Sequence, residues 1–359
     1  MTDITPYILN CEADLREGLS RLNRLSGPGG MTLFVTDADG RAIGTLTDGD
    51  IRRALIAGAE LSDPVTVACH REFRALSPGD PAVEALRRFR RAGITLVPVI
   101  DDGGRIVRLV DLSRTHTILP VRALIMAGGK GERLRPMTLT TPKPLLEIEG
   151  KAIIDYNIRA LADCGVTDIT VSTGYLAEKL ERHFARPVCG VRVKTVRESS
   201  PLGTIGAATL MAPDPDGRPV LVMNSDLITT ISFEEMYLRH IETGADITVA
   251  VIPYQVSVPY AILQFDSDDP DRVTGLEEKP AYSYYANAGI YLFSPQVLAT
   301  LRPDTRTDAT DLIEATIAAG GLVTHYPVGG TWIDVGSPTD FRQAAELIRH
   351  HNSMTPSTF

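Results

Sequence analysis

No run in this sequence approaches the ~20 consecutive apolar residues that a membrane-spanning helix needs, so no membrane association is expected. The first residues, MTDITPYILNCEADLREG, lack a basic start and a long apolar stretch, so no secretory signal is read there. An excess of basic residues is missing too. The formal net charge is −9, which argues against a nucleic-acid partner, since such proteins present a basic face. Cysteines are few: Cys11, Cys69, Cys164 and Cys189 are scattered, with no CxxC pair. Reduced, mostly buried thiols in a cytoplasmic protein are expected, rather than disulfides or thiolate-bound metal. What is present suits a globular chain: at 359 residues it exceeds what one hydrophobic core usually serves, so two domains are expected.

A weak internal repeat fills the first 118 residues. The first copy reads as a helix (ADLREGLSRLNRL), a strand (MTLFVTD), a turn (ADGR), a strand (AIGTLT) and a second helix (DGDIRRALIAG). The second copy follows the same order with DPAVEALRRFRRAG, TLVPVID, DGGR, IVRLVD and LSRTHTI. Both turns put Asp and Gly between apolar runs, which is hairpin chemistry. The arginines of ALRRFRRAG form a short solvated helix face. This order, with GTLTDGDIRRAL at residues 44–55, resembles a tandem pair of CBS domains. Such pairs often hold an adenine nucleotide, with a Ser/Thr and an Asp three residues on contacting phosphate and ribose. Thr47 and Asp50 match that pattern. Val110 stands where the second copy would need its hydroxyl, so one site at most is expected. The alternative is that Thr47 and Asp50 cap the helix IRRALIAG, because DGD before an apolar periodic run is an N-terminal signal.

From Val121 the grammar changes. RALIMAGG reads as a buried strand, KAIIDYNIRALADCG as a helix closed by Gly165, and DITVSTG as a strand. AEKLERHFA reads as a helix, RVKTVRE as a strand, TIGAATLMA as a helix and RPVLVMNSD as a strand. Strands alternating with helices build a mostly parallel sheet, and ligands gather at the carboxyl ends of its strands.

One such end carries AGGKGERLRP. Glycines let backbone N–H groups approach a polyphosphate without a Cβ in the way. Ala127, Gly128, Gly129 and Gly131 would wrap a triphosphate, Arg133 would fork onto its oxygens, and Lys143 in TPKP would return as a point charge. The spacing is neither GxxxxGK[ST] nor GxGxxG with an acid ~20 residues on. GGxGxRLxP followed by PKP resembles the sugar-1-phosphate nucleotidylyltransferases (NDP-sugar pyrophosphorylases) over residues 121–350. The resemblance implies an α/β fold, with a Rossmann-like (GT-A-like) mostly parallel nucleotidyltransferase domain at 121–350. An α+β tandem CBS pair at 1–118 would precede it, and a tail at 351–359 would follow.

The family also implies roles. Arg133, Lys143 and Asp226 (in VLVMNSDLI) would be catalytic, and Asp226 would share Mg2+ with Asp334 of GGTWIDVGSP. In VTGLEEKPAYSYYANAGIYLF, Glu278 resembles the residue that bonds sugar hydroxyls and Lys279 the one that holds the sugar phosphate. Asn287 and Gly289, with Tyr260 and Ala261 of PYAILQFD, would line the sugar pocket. RESSPLGTIGAA would grip the base through Glu198, Gly203 and Thr204. The edge of guanine offers two adjacent donors, N1–H and N2–H2, which suit a carboxylate, whereas uracil and thymine suit Gln. Glu198 therefore points to GTP.

The activity implied is transfer of a nucleoside monophosphate from NTP, GTP by preference, to a sugar 1-phosphate. CBS pairs before such a domain resemble glucosamine-1-phosphate guanylyltransferases of legionaminic acid routes. Other sugar-1-phosphate guanylyl-, uridylyl- or thymidylyltransferases are the alternatives, as is an idle subunit that senses nucleotide sugars. CBS pairs often associate, so a homo-oligomer is expected.

Overall fold

A computed structural model describes residues 3–25, 31–78, 80–113 and 115–354. The chain divides into two compact units, residues 1–119 with 163–165, and residues 120–162 with 166–359. Among the described residues no helix is long and apolar enough to cross a membrane.

The first unit begins with β1 (Ile8–Asn10), α1 (Leu15–Arg24), β2 (Thr32–Thr36), β3 (Ala42–Thr47) and α2 (Asp48–Ile56). It continues with α3 (Ala82–Arg91), β4 (Leu96–Ile100) and β5 (Ile106–Asp111). Asp14 starts α1 by accepting from Glu17 N–H at 2.7 Å, and Leu15 and Leu22 bury beneath it with Leu33, Leu46 and Ile51. The two hairpins are built alike. Asp37 Oδ1 accepts from Arg41 N–H and Asp101 Oδ1 from Arg105 N–H, each at 2.8 Å. Their registers pair Thr32 with Thr47 and Leu96 with Asp111.

Two readings of the second copy are corrected by this. The position matching Thr47 is Asp111, and Val110 matches the buried Leu46. Asp111 uses its own carboxylate on the Ser113 N–H at 3.0 Å and the Ser113 hydroxyl. LSRTHTI does not form the expected helix. It leaves β5 through a single turn, in which Thr115 N–H donates to Asp111 O at 2.8 Å, and no helix follows; position 114 lies outside the described residues. Thr115, Thr117 and Ile118 are β-branched and Pro120 follows them, a composition that disfavours a helix.

The second unit runs through β6 (Arg122–Ala127), β7 (Glu147–Ile148), β8 (Lys151–Ala152), α4 (Ile153–Asp163) and β9 (Ile169–Thr173). Next come α5 (Ala177–His183), β10 (Lys194–Arg197), β11 (Val220–Asn224), β12 (Leu227–Thr229) and α6 (Phe233–Thr243). The rest is β13 (Ile247–Ser257), β14 (Ile262–Phe265), β15 (Val273–Glu277), β16 (Ala281–Phe293), α7 (Pro295–Leu298), α8 (Ala309–Ala318), β17 (Val323–Pro327), β18 (Trp332–Asp334) and α9 (Pro338–Met354). The central sheet has the order β10-β9-β6-β11-β16-β13-β17 among the described residues. Its pairs are parallel except where β16 inserts antiparallel between β11 and β13. β6, β9 and β11 are almost continuously buried, as expected for strands covered on both faces. One core layer joins Leu124, Val222, Ile247, Tyr291 and Phe293; another packs Ala344 and Ile348 of α9 on Ile153, Ile228 and Ile333.

Two further expectations change here. TIGAATLMA forms only a 3-10 stretch, Gly206–Leu210. Its glycine and the β-branched Thr204, Ile205 and Thr209 weaken an α-helix, and Gly206 packs under the carbonyl of Thr305. The final helix runs to Met354, past residue 350 where the sequence reading closed the domain. Of the expected tail, residues 355–359 lie outside the described residues.

Candidate active site

The carboxyl ends of β6, β9 and β11 open into a cavity of about 1070 Å³. Its walls come from Ala127–Leu134, Lys143, Gly174, Tyr175, Glu198–Pro201, Gly203, Thr204, Asn224–Asp226, Arg306, Asp308 and Gly336. β6 therefore delivers the glycine loop, β10 delivers Glu198 and β11 delivers Asp226, because parallel strands end on the same side.

Two glycines of the loop are closely approached by side chains. Gly131 has φ +59°, and a Cβ there would lie 2.9 Å from Lys143 Cβ. At Gly128 a Cβ would come within 2.6 Å of Glu198 Oε1. The loop is then tied down: Thr138 Oγ1 donates to Gly131 O at 2.8 Å, and Tyr175 OH donates to Thr138 O and Leu139 O at 3.1 Å. Lys179 of α5 donates to Thr140 O. Arg133 lies with its guanidinium over Gly336, where a Cβ would meet it at 3.0–3.1 Å.

β12 and β18 pair antiparallel with Leu227 opposite Asp334, and Val335 N–H donates to Asp226 O at 3.0 Å. That short ladder brings Asp226 and Asp334 together from distant parts of the sequence. Lys143, almost fully buried, forms an ion pair with Asp226 Oδ2 and lies 3.6 Å from Asp334 Oδ1. Burial pushes the Asp334 carboxyl above its usual range, as does the charge of Asp226, while Lys143 and Arg133 pull it back. Oδ1 of Asp226 and Oδ1 of Asp334 are buried without a hydrogen-bond partner. Two such oxygens suit a hard divalent cation, and no set of three or more His, Cys, Asp or Glu gathers for a metal among the described residues. A site of two carboxylates fits a cation that takes its remaining ligands from water and substrate phosphate.

Beside Gly128, Glu198 Oε2 accepts from Leu202 N–H at 2.9 Å. Gly203 and Thr204 reach the cavity but are also structural. Thr204 N–H donates to Asp308 Oδ1 at 3.0 Å, and Thr204 Oγ1 accepts from Ala309 N–H at 2.8 Å at the start of α8.

The expected sugar residues are placed differently. β13 and β16 continue beyond the sheet as an exposed ribbon, with β14 and β15 beside each other as a separate exposed pair. Tyr260, Ala261, Glu278 and Lys279 are all exposed and do not line the cavity. Glu278 and Lys279 approach each other at 4.0 Å. Asn287 Oδ1 accepts from Gly289 N–H at 2.9 Å, and Gly289 packs against the amide of Asn224, which does line the cavity.

Thr47 and Asp50 in the first unit form a complete capping box for α2. Asp50 N–H donates to Thr47 Oγ1 at 3.3 Å and Thr47 N–H donates to Asp50 Oδ2 at 2.9 Å. The Thr47 hydroxyl also donates to Asp50 Oδ2 at 2.6 Å, and Arg53 pairs with Asp50 Oδ1. The helix start thus accounts for both side chains.

Sequence reasoning missed Tyr175, Asn224, Arg306 and Asp308. Tyr175 and Asn224 stand at strand ends on the ligand side of the sheet, a signal that was available. Arg306 and Asp308 reach the cavity through the docking of Thr307 on the Leu202–Gly206 turn, which no local pattern announces.

Comparison with known proteins agrees with this architecture. Residues 122–351 match the nucleotidyl transferase family model, and the chain belongs to that family. A CBS domain model matches residues 64–114, which begin before the second copy and cover most of it. Among curated relatives, mannose-1-phosphate guanyltransferase of Neurospora crassa is 36% identical over 233 residues, and mannose-1-phosphate guanylyltransferase catalytic subunit beta of Danio rerio is 34% identical over 229. Each match spans 62% of this chain and 62% of the relative's own length. A crystal structure from Bacillus anthracis, described as a glucose-1-phosphate thymidylyltransferase, aligns with TM-score 0.51 at 24% identity, over 64% of this chain and 95% of its own. That likeness is one of fold.

Proposed function

We propose that this protein transfers GMP from GTP to a sugar 1-phosphate, releasing pyrophosphate. The observation that carries the reading is one cavity lined by the glycine loop, Arg133, Lys143 and Asp226 and also by Glu198, which lies beside Gly128, with the Gly203–Thr204 turn. The first set suits a triphosphate and the second suits a base. Each carboxylate oxygen offers two lone-pair sites, so the bond from Leu202 leaves Glu198 able to accept from guanine N1–H and N2–H2. A uracil carbonyl facing it would bring lone pair against lone pair.

The chemistry is an in-line displacement. A phosphate oxygen of the sugar 1-phosphate bonds to the α-phosphorus, and the bond from that phosphorus to the bridging oxygen breaks with its electron pair leaving on pyrophosphate. The nucleophile is already ionised at neutral pH, so no general base is required. Catalysis reduces to positioning and charge compensation. Gly128, Gly129 and Gly131 bring backbone N–H groups to the triphosphate, while Arg133 and Lys143 offset its charge. Asp226 and Asp334 would hold Mg2+, which supplies charge stabilisation on the reacting phosphates. Lys279 would orient the sugar phosphate once the exposed ribbon is drawn toward the cavity.

For the sugar, the layout of a CBS pair before the transferase unit favours glucosamine 1-phosphate. The names of the relatives favour mannose 1-phosphate as a second reading. The test is pyrophosphate release with Mg2+, crossing GTP, UTP, dTTP, CTP and ATP against both sugars, glucose 1-phosphate and N-acetylglucosamine 1-phosphate, with and without adenine nucleotide. Turnover with GTP, and a shift away from GTP in Glu198→Gln, is the expected result. Equal use of UTP or dTTP by the unaltered protein sinks the guanine assignment.

A further inference from the structure

We propose that the Lys143 ammonium is the resident counter-ion of the Asp226–Asp334 pair, and that it must leave these carboxylates before a divalent cation can take them. The inference rests on reading the cavity as a nucleoside triphosphate site.

Three observations lead there. Lys143 Nζ pairs with Asp226 Oδ2 and stands 3.6 Å from Asp334 Oδ1, so one ammonium serves both carboxylates. Its side chain is only 10% exposed, against 20% for Asp226 and 39% for Asp334, so water screens the cluster weakly. Asp226 Oδ1 and Asp334 Oδ1 are buried with no hydrogen-bond partner, the latter facing the ammonium only at ion-pair distance, which leaves both able to accept a cation.

The three groups differ in how firmly they are held. The carboxylates are fixed by backbone pairing, through the Leu227–Asp334 register and the Val335 N–H to Asp226 O bond of 3.0 Å. Lys143 passes Gly131 with its Cβ and Cδ, and no backbone pairing fixes its ammonium. Its four-carbon stem carries the charge on rotatable bonds. A divalent cation and an ammonium within ~4 Å of each other repel strongly in so dry a place, so they exclude one another from the same oxygens. The triphosphate offers the ammonium another partner, because the glycine loop that would hold it begins on the same wall of the cavity.

Phosphate therefore draws Lys143 off the carboxylates, and the carboxylates become available to the metal. Linkage makes this reciprocal: metal favours nucleotide as much as nucleotide favours metal. Lys143 thus acts as a gate on the order of assembly, in addition to offsetting phosphate charge.

The test is Mn2+ binding, followed by loss of the free-ion EPR signal at neutral pH without nucleotide. Lys143→Met is expected to bind Mn2+ on the order of tenfold tighter than the unaltered protein, and adding Asp226→Asn to that variant is expected to abolish the gain. Lys143→Gln, whose amide still donates to Asp226, carries the same comparison if the methionine variant does not fold. A parallel titration with a non-hydrolysable GTP analogue separates the two layers. If the unaltered protein gains an Asp226-dependent Mn2+ site with the analogue while neither Lys143 variant gains one without it, the metal site stands and the counter-ion role is overturned. If Asp226→Asn leaves Mn2+ binding with the analogue unchanged, the metal reading itself falls and this inference falls with it.

Discussion

Gly128 and Gly129 are neighbours in the same loop, yet their surroundings differ. A Cβ at Gly128 would lie 2.6 Å from Glu198 Oε1, whereas a Cβ at Gly129 meets nothing within 4 Å. Gly128→Ala is therefore expected to displace Glu198 and to weaken its bond to Leu202 N–H, lowering the melting temperature and the GTP affinity together. Gly129→Ala should leave the melting temperature unchanged, since nothing in the protein is crowded. If the backbone at Gly129 faces a triphosphate, the same alanine should lower nucleotide affinity on the order of tenfold, because a methyl group then stands between N–H and phosphate. Thermal unfolding with and without GTP separates the two effects, and normal GTP affinity in Gly129→Ala would remove that residue from the phosphate site. At this scale the loop was legible in sequence, because glycine, arginine and proline-fenced lysine carry their chemistry locally. The contact between Gly128 and Glu198 was not.

Among the elements, two histidines, His183 half-buried and His240 buried, make opposite demands on pH. His183 of α5 meets Asp155 of α4 at 2.7 Å, and that bond raises its pKa above the ordinary 6.5 against the opposing effect of burial. The protonated form is the stabilised one. Its contribution is complete below the unfolded value of 6.5 and is lost as pH rises through the folded value. His240 of α6, 3% exposed and bonded to Thr248 Oγ1 at 2.9 Å, has its pKa lowered by burial. Its neutral form is favoured, so its contribution is complete above 6.5 and is lost as pH falls below that. Urea midpoints measured from about pH 5 to about pH 8 should show the acid-side decline flattened in His240→Gln and the alkaline-side decline flattened in His183→Gln. A parallel shift of the whole profile in either variant would mean that packing, not titration, sets the effect. Helix and strand order in the second unit, as far as Asp226, followed from alternating apolar runs. TIGAATLMA was the exception there, and LSRTHTI in the first unit, where β-branched residues with glycine or proline weakened a helix that alternation or repetition had suggested.

For the molecule as a whole, each unit has its own apolar core. Leu9, Leu33, Leu46 and Ile51 belong to the first unit, and Leu124, Val222, Ile247 and Phe293 to the second. Separate cores favour separate unfolding transitions. Calorimetry is expected to resolve two, and a GTP analogue with Mg2+ should raise one of them, by about 2.7 kcal/mol at a concentration of 100 times Kd. Protease fragments retained after the lower transition would assign each unit. A single transition that moves whole with nucleotide would show that the units unfold as one. Adenine nucleotide raising the other transition would give the first unit a ligand, despite the capping role of Thr47 and Asp50.

The sequence by itself determined the two-part layout, the hairpin repeat, the parallel-sheet grammar and the glycine loop. All of these depend on residues close together in the chain: Asp and Gly at turns, apolar periodicity along strands and helices, and glycines followed by Arg133 and Lys143. The tertiary structure decided which groups meet. The β12–β18 ladder joins Asp226 to Asp334, the short ladder's neighbour Lys143 settles between them, and Tyr175 braces the loop from another strand end. It also carried Tyr260, Glu278 and Lys279 out onto an exposed surface away from the cavity lining. Such placements depend on register and packing between segments far apart in sequence, and local residue chemistry does not specify them.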